Sequence, residues 1–584
     1  MRKSVQASAC VIAFSILPCH PQILDDVEHV NPAWTLASLR PAAWEVQVAG
    51  MDFLPGGRLL VLEHSKPDAN RTNVVRANGR LYVVANPSAN GEAVKYALVA
   101  QDLKEPVGAL WVNGKVYIAE KNQLNEYTLD AGFTKAVKTR TVAAIPHDSR
   151  GIANFQEYTF GLLYKDGYFY VAGGGAVIRG GRSFDSLPDS LDEPRVGGVL
   201  KIKDSDGSME MLNGGMRASN GIAWGPEGTI WITDNQGSYR PSSQLTQSIP
   251  GANYGYPNKP GVFSSKPITP PGVWLVHGDI ARSPTYPHLV AKGLYAGQFL
   301  VGDISQGGIK RVFVEKVNGA WQGCVFSFTG GLEVGIEKIL EDSSGTLYVG
   351  GFGRGDAANW GWNGKEWGLQ KLIPKPGVTA MEILSIRSRR IGMEIEFTQP
   401  VGAEGELASS YSVIAGGMAP ETGYGLGSMI GKTTLPIKSV QLSPDRKRVF
   451  LDLPGLTAGK VLIIKTAGVK SQAGETVRCP AGWYTLNAIS PTDPLPSPTR
   501  IGPAAAAGGE GAPRIFTTAQ GFEVEIPGAG SHRITLSNLQ GKAAYSASGN
   551  GARRYAIAQA GRLSGLYILE VKLGGTGYRR ALAF

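Results

Sequence analysis

Four short stretches of this chain end an alternating apolar run on a carboxylate. They are GGRLLVLE closing at Glu63, NGKVYIAE at Glu120, EGTIWITD at Asp234 and AGQFLVGD at Asp303. Alternation of this kind is the signature of a half-buried strand, and an acid at its end has two uses. It can cap a turn or face water; alternatively, several such acids set around one opening would need a cation, a basic partner or a raised pKa. Asp234 and Asp303 are the pair nominated here for a metal, because carboxylates supply the hard oxygens that Ca²⁺ prefers.

The residues ahead of the preceding strands should reach the same opening. Glu157 and Tyr158 stand before one of them, Arg217 and Asn220 before the next, and Asn235 follows Asp234 directly. Glu157 is the candidate base, since a desolvated carboxylate can take a hydroxyl proton. Arg217 and Asn220, with Asn235, are candidates to orient a polar ligand, although a lone arginine also serves as a loop anchor. His64, His277 and His288 are isolated and lack paired ligand spacing, so a histidine metal site is not expected. GGGAVIRGG near Gly173 follows a strand without opening a helix, which argues against a phosphate cradle. Trp360, Trp362 and Trp367 read as core, with sugar stacking as the alternative.

These residues need a frame that repeats. The acid-ended strands recur with DGYFYVAG and SGTLYVGG, giving six turn glycines: Gly57, Gly114, Gly167, Gly228, Gly297 and Gly345. Their spacing, about 50 to 70 residues, is long enough for a four-stranded blade with loops. The spacing predicts a six-bladed β-propeller over residues 40–374, with inner strands at MDFLP, ALWV, GLLY, GIAW and KILE and no clean inner strand in the fifth blade. Radial repetition would leave a central channel lined by inner strands.

Beyond Pro374 the alternation becomes that of antiparallel strands, so 377–487 reads as an immunoglobulin-like or fibronectin-like β-sandwich. Residues 489–513, with SPTDPLPSP and PAAAAGGEGAP, cannot bury a core and read as a linker. Short strands return over 514–584 as a small C-terminal β-sandwich. The chain is therefore expected to be all-β.

With 78 glycines and 36 prolines among 584 residues, the composition fits a turn-rich β protein. The net charge of +10 is scattered, with no basic stripe and interleaved aromatics, so nucleic-acid binding is not expected. Arg2 and Lys3 precede an apolar run from about Ala7 to Leu17, too short to span a bilayer, so residues 1–22 read as a signal peptide and the chain as secreted or displayed at the outer cell surface, without a transmembrane segment. Cys324 and Cys479 fall in different expected domains, which disfavours a disulfide. The absence of Cys-x-x-Cys-His excludes a covalently attached c-type haem.

Several stretches together resemble the glucose/sorbosone dehydrogenase superfamily, and more closely its large secreted "membrane-bound dehydrogenase" branch. They are NFQEYTFGLLYKDGYFYVA from Asn154, the 220–236 stretch continuing to GANYGYP at Gly251, GQFLVGDISQGGIKRVFVEKVNGAWQGCVFSF from Gly297, TLYVGGFG at Thr346 and NWGWNGKEWGLQKL at Asn359. The resemblance covers nearly all of the propeller, and the domain ending in WYTLN at Trp483 is similar to the sandwich that follows it in that branch. It implies a carbohydrate-directed oxidoreductase using pyrroloquinoline quinone (PQQ) and Ca²⁺, with Arg217 matching the arginine of the Arg-Asn-Pro loop that contacts the quinone.

The chain departs from that pattern in three places. Ala218 and Ser219 follow Arg217; Ser242, Ser243 and Gln244 stand where an acidic pair is expected; and Gln156 and Glu157, with His147 displaced upstream, stand where the family carries its histidine base. The alternative is a non-catalytic propeller that binds glycans or cell-surface partners. The C-terminal pattern, RITLSNLQGK followed by GRLSGLYILEVK and a basic last strand, resembles type IX-like sorting domains, which implies contact with a cell-surface export machinery.

Overall fold

The computed structural model describes residues 27–65, 76–145, 158–175, 196–237, 239–256, 265–353, 361–418, 429–493, 513–518, 521–527, 530–538, 542–558, 566–573 and 576–583. The expected signal peptide, residues 1–22, lies outside these residues, as does most of the 489–513 linker.

Four-stranded antiparallel sheets follow one another along the chain. The first four are Val48–Leu54 to Tyr96–Leu103, Gly108–Val112 to Ala136–Ala144, Thr159–Lys165 to Met209–Met211, and Ser219–Trp224 to Val273–Leu275. The fifth runs from Pro284–Leu289 through Phe299–Asp303 and Ile309–Val317 to Ala320–Thr329. The sixth is Ile336–Glu341, Leu347–Phe352 and Trp367–Pro374, completed by Trp34–Ser38 from the start of the described chain. Each first strand lies beside the next, and the sixth returns to the first. The protein is a six-bladed β-propeller closed by its own N-terminal strand, which lies ahead of the expected start at residue 40.

The blades form because the alternating residues bury between neighbours. Leu60 and Leu62 of blade one pack with Ala109 and Ile118 of blade two, and Tyr117 and Ala119 pack with Phe169 and Val171 of blade three. The fifth blade has an inner strand after all, in the sequence PTYPHL, where two prolines mask the alternation.

The sandwich is continuous with the ring. One of its sheets is Ile383–Arg389, Gly392–Phe397, Arg448–Asp452 and Ser439–Leu442. The other, built from Ala481–Leu486, Lys460–Lys465, Ser412–Gly417 and Ile430–Leu435, pairs through Gly323↔Thr485 and Val325↔Trp483 with the outer strand of blade five. Eight strands thus form one sheet, and Cys324 and Phe326 of the propeller sit in the sandwich core with Ile386, Met393 and Tyr484.

The C-terminal unit has a three-stranded sheet (Arg514–Thr518, Gly521–Ile526, Arg553–Ala558) and a four-stranded one (Ser531–Asn538, Ala543–Asn550, Leu566–Leu573, Thr576–Ala583). Its core contains Val524, Ile534, Leu536, Ile557 and Val571. No helix of the described residues is long and apolar enough to cross a membrane.

Candidate functional site at the channel mouth

Inner strands begin at one end of the channel, and second strands finish there. In five of the six blades the pairing of these two strands slips near that end, between Val48 and Gly50, Phe160 and Leu163, Ser219 and Ile222, Pro284 and Pro287, and Ile336 and Lys338. A bulge turns a side chain out of the regular alternation, here toward the axis. The residues at the slips include Asn220, Tyr286 and Glu337.

Tyr286 crosses the axis. Its hydroxyl, carried by blade five, donates to Val107 O at the start of blade two and accepts from Gly161 N of blade three. The ring passes only because Gly161 and Gly221 lack a Cβ: one on Gly161 would meet the Tyr286 ring at 3.0 Å, and one on Gly221, at φ +146°, would meet the Tyr286 amide at 2.7 Å. Behind this plug the Lys338 ammonium lies 4.5 Å over the tyrosine ring.

On the mouth side, Asn220 of blade four and Glu337 of blade six face each other, with Asn220 Nδ2 and Glu337 Oε2 3.5 Å apart. Both are buried, and Asn220 Oδ1 and Glu337 Oε1 have no hydrogen-bond partner among the described residues. Burial pushes the Glu337 carboxyl up to about 8, against smaller opposing effects of Asn220 and Lys338. It is therefore largely protonated at neutral pH. Among the described residues Asn235 Oδ1, Gln306 Oε1 and the donor Gln244 Nε2 are also buried without a partner.

The cleft above opens to solvent over a small cavity of about 20 Å³ and is lined by Gln47, His64, Arg76, Tyr158, Asn220 and Phe352 among others. His64 stacks on Phe352 at 5.0 Å and meets Tyr158 edge-on at 5.8 Å. Beside it Glu105 is clamped between Arg76 and Lys121, each 2.9 Å away, and the Lys121 ammonium lies 4.3 Å over the Tyr158 ring.

The strand-ending acids do a different job. Asp303 is fully buried and accepts from the backbone N–H groups of Arg282, Ser283, Ser305 and Gln306 at 2.7 to 3.1 Å. Asp234 accepts from Arg217 N and Ala218 N and pairs with Arg240 Nε at 3.1 Å. Glu120 accepts from Lys104 N at 2.7 Å and Tyr127 OH at 3.1 Å, and Glu63 from Tyr82 OH at 3.1 Å. Buried backbone amides need acceptors, and Asp303, Asp234 and Glu120 supply them within the blade and the loop leading into it, while Glu63 is taken up by Tyr82 and Arg80 of its own blade. The expectation of a shared ring of open carboxylates is corrected on this ground. Among the described residues no group of three or more His, Cys, Asp or Glu side chains is placed to hold a metal.

Arg217 is 2% exposed; its guanidinium packs on Gly237 and donates to Gln236 O at 2.7 Å, which turns it into the protein rather than the cleft. Asn235 donates to Ser283 Oγ at 3.1 Å. Glu157 lies outside the described residues; its neighbour Tyr158 is on the cleft wall.

Glu337, Tyr286 and His64 were not nominated by sequence, although one signal marks Glu337. It stands eight residues before its turn glycine (337 to 345), as Asn220 does (220 to 228) and Ala49 does (49 to 57).

No protein-family profile matches the chain, and no curated protein matches it. Solved structures similar to it include an oxidoreductase (glucose dehydrogenase) from Thermus thermophilus, at 16% identity and TM-score 0.42 over 58% of this chain and 100% of that one. The PQQ-bound aldose sugar dehydrogenase of Streptomyces coelicolor is similar at 14% identity and TM-score 0.39, over 59% of this chain and 99% of that one. The holo PQQ domain of pyranose dehydrogenase from Coprinopsis cinerea is similar at 14% identity and TM-score 0.39, over 59% of this chain and 96% of that one.

Proposed function

We propose that the channel mouth is a carbohydrate site. The observation that carries this is Asn220 on the cleft wall, whose Oδ1 is left without a donor among the described residues, with Glu337 Oε1 likewise unmade beside it. Leaving a buried acceptor unmade costs about 1–3 kcal/mol, and a polyhydroxylated ligand brings the hydroxyl donors that relieve it. Tyr158 and Phe352 on the cleft wall offer apolar surface to a sugar ring.

A second reading, oxidation of the bound sugar, is favoured by Glu337. A carboxyl held near 8 behind Asn220 of the cleft wall is poised to exchange a proton close to neutral pH. The quinone and calcium that accompany this chemistry in the resembling family do not fit the described residues. PQQ is rich in carboxylate and carbonyl acceptors and needs donors; the unmade polar atoms at the cleft wall and beside it are the acceptors Asn220 Oδ1 and Glu337 Oε1, the Arg217 guanidinium donates to Gln236 O, and Arg76 and Lys121 share Glu105. Asp234 and Asp303 have their oxygens occupied by N–H groups. Secretion through residues 1–22, display through the sorting-type sandwich at 514–584 and contact with an export machinery belong to the same proposal.

The test is to measure retention of the purified protein on a glycan panel and, in parallel, dye reduction by the same sugars with and without added PQQ and Ca²⁺. Retention that Asn220→Ala weakens, with no dye reduction, gives a binding protein. Sugar-dependent dye reduction gives the oxidoreductase. Loss of both, with neither retention nor turnover on any sugar, refutes the carbohydrate site.

A further inference from the structure

A second cavity, of about 250 Å³, opens at the other ends of the inner strands. It lies where Ala33 and Trp34 of the closing strand, the hairpin turns of blades five and six, and the 374–379 segment leading to the sandwich come together. An apolar cavity of about 150 Å³ is enough to hold a benzene ring, so this one admits a longer hydrocarbon.

Its walls are Trp34, Val290, Tyr295, Leu300, Phe328 and Leu347, continuous with the core between blades five and six. The lip carries exposed apolar side chains, Leu294 and Val378, each 46% accessible. Lys292 and Lys375 also line it. Their ammonium groups donate to neutral carbonyls, Ser343 O at 2.9 Å and Pro32 O at 3.1 Å, and neither joins an ion pair among the described residues. The acid lining the cavity among the described residues, Glu341, is occupied by Ala291 N at 2.7 Å and His288 Nε2 at 3.3 Å.

Apolar walls, an apolar lip and two cations compensated only by carbonyl dipoles suit an amphipathic anion. We propose that this cavity binds a medium-chain carboxylic acid, its tail against Trp34, Leu300 and Phe328 and its carboxylate at the rim between Lys292 and Lys375. The ligand would touch the closing strand and both blades it bridges, so binding strengthens ring closure. The proposal is independent of the carbohydrate reading of the mouth.

Decanoate titrated into the full-length protein, read by calorimetry and by thermal unfolding, is the probe. Decanoate should bind and raise the melting temperature, and decanol should bind roughly tenfold more weakly for want of the charge-assisted contact. The double variant Lys292→Ala/Lys375→Ala, both exposed positions, should lose affinity by roughly tenfold or more while keeping the native circular dichroism spectrum. Val378→Trp at the lip should obstruct the cavity and weaken binding too. No decanoate binding, decanol binding as tight as decanoate, or unchanged affinity in either variant would overturn the proposal.

Discussion

Asp303 and Glu337 are both buried carboxyls at the same end of the same channel, yet their surroundings are opposite. Asp303 accepts four backbone N–H groups, whereas Glu337 has one 3.5 Å contact to Asn220 and an oxygen with no partner. The first ends a second strand, where its carboxylate holds the loops on either side; the second stands in a bulge of an inner strand, where no backbone amide meets its free oxygen. An acid at a repeated position therefore serves the repeat. An acid at a departure from the repeat is the one left over for chemistry.

The largest effect that bears on this contrast should come from Asp303→Ala. Removing an acceptor shared by four buried amides should cost roughly 3–5 kcal/mol, seen as a lower midpoint in urea unfolding. A variant that keeps its stability but loses sugar binding would reverse the assignment.

Glu337→Gln should act the other way, and its effect should depend on pH. The folded carboxyl sits near 8 against an ordinary value of 4.5, so as pH rises through that window the unfolded chain releases its proton first and the native state loses stability. Glutamine carries no such penalty, so the variant's gain over the native protein should grow from pH 4.5 and level off above 8, reaching up to roughly 5 kcal/mol. Thermal unfolding across pH 4 to 9 measures it, and a pH-independent difference between the two proteins would remove Glu337 from the comparison.

Asn220→Ala should weaken carbohydrate binding by roughly tenfold while changing stability by about 1 kcal/mol or less, because the lost amide has only one long internal contact. The smallest effect on the ligand should be that of Arg217→Lys, which removes the Gln236 contact from a guanidinium turned away from the cleft. Stability should fall by about 1–2 kcal/mol with sugar affinity unchanged; a large loss of affinity would bring Arg217 back to the site.

The ring was legible because its signal is local: alternation, then a turn glycine, then alternation again, six times over. The fifth inner strand escaped because Pro284 and Pro287 interrupt the pattern in a strand whose register slips between those residues. The closing strand escaped because Trp34–Ser38 pairs with a segment at the far end of the ring, Gln370–Pro374, a contact that no short window of sequence contains. At the site Asn220 and Tyr158 stand on the cleft wall, whereas Asp234, Asp303 and Arg217 are engaged in hydrogen bonds inside the protein. Strand periodicity shows that a residue reaches the mouth, but it does not show which hydrogen bonds are already made there. Glu337 was hidden in an ordinary VGIEKILE run, and only its equivalence to Asn220 in the blade repeat distinguishes it.

The eight-stranded sheet that runs from blade five into the sandwich makes the two folds inseparable in practice. A truncation ending at Pro374 would strip Ala481–Leu486 from the outer edge of Ala320–Thr329, leaving a long bare strand and uncovering Cys324 and Phe326. Such a fragment should assemble edge to edge rather than stay dispersed. The sandwich is thus less an appendage than a permanent splint on one vane of the wheel.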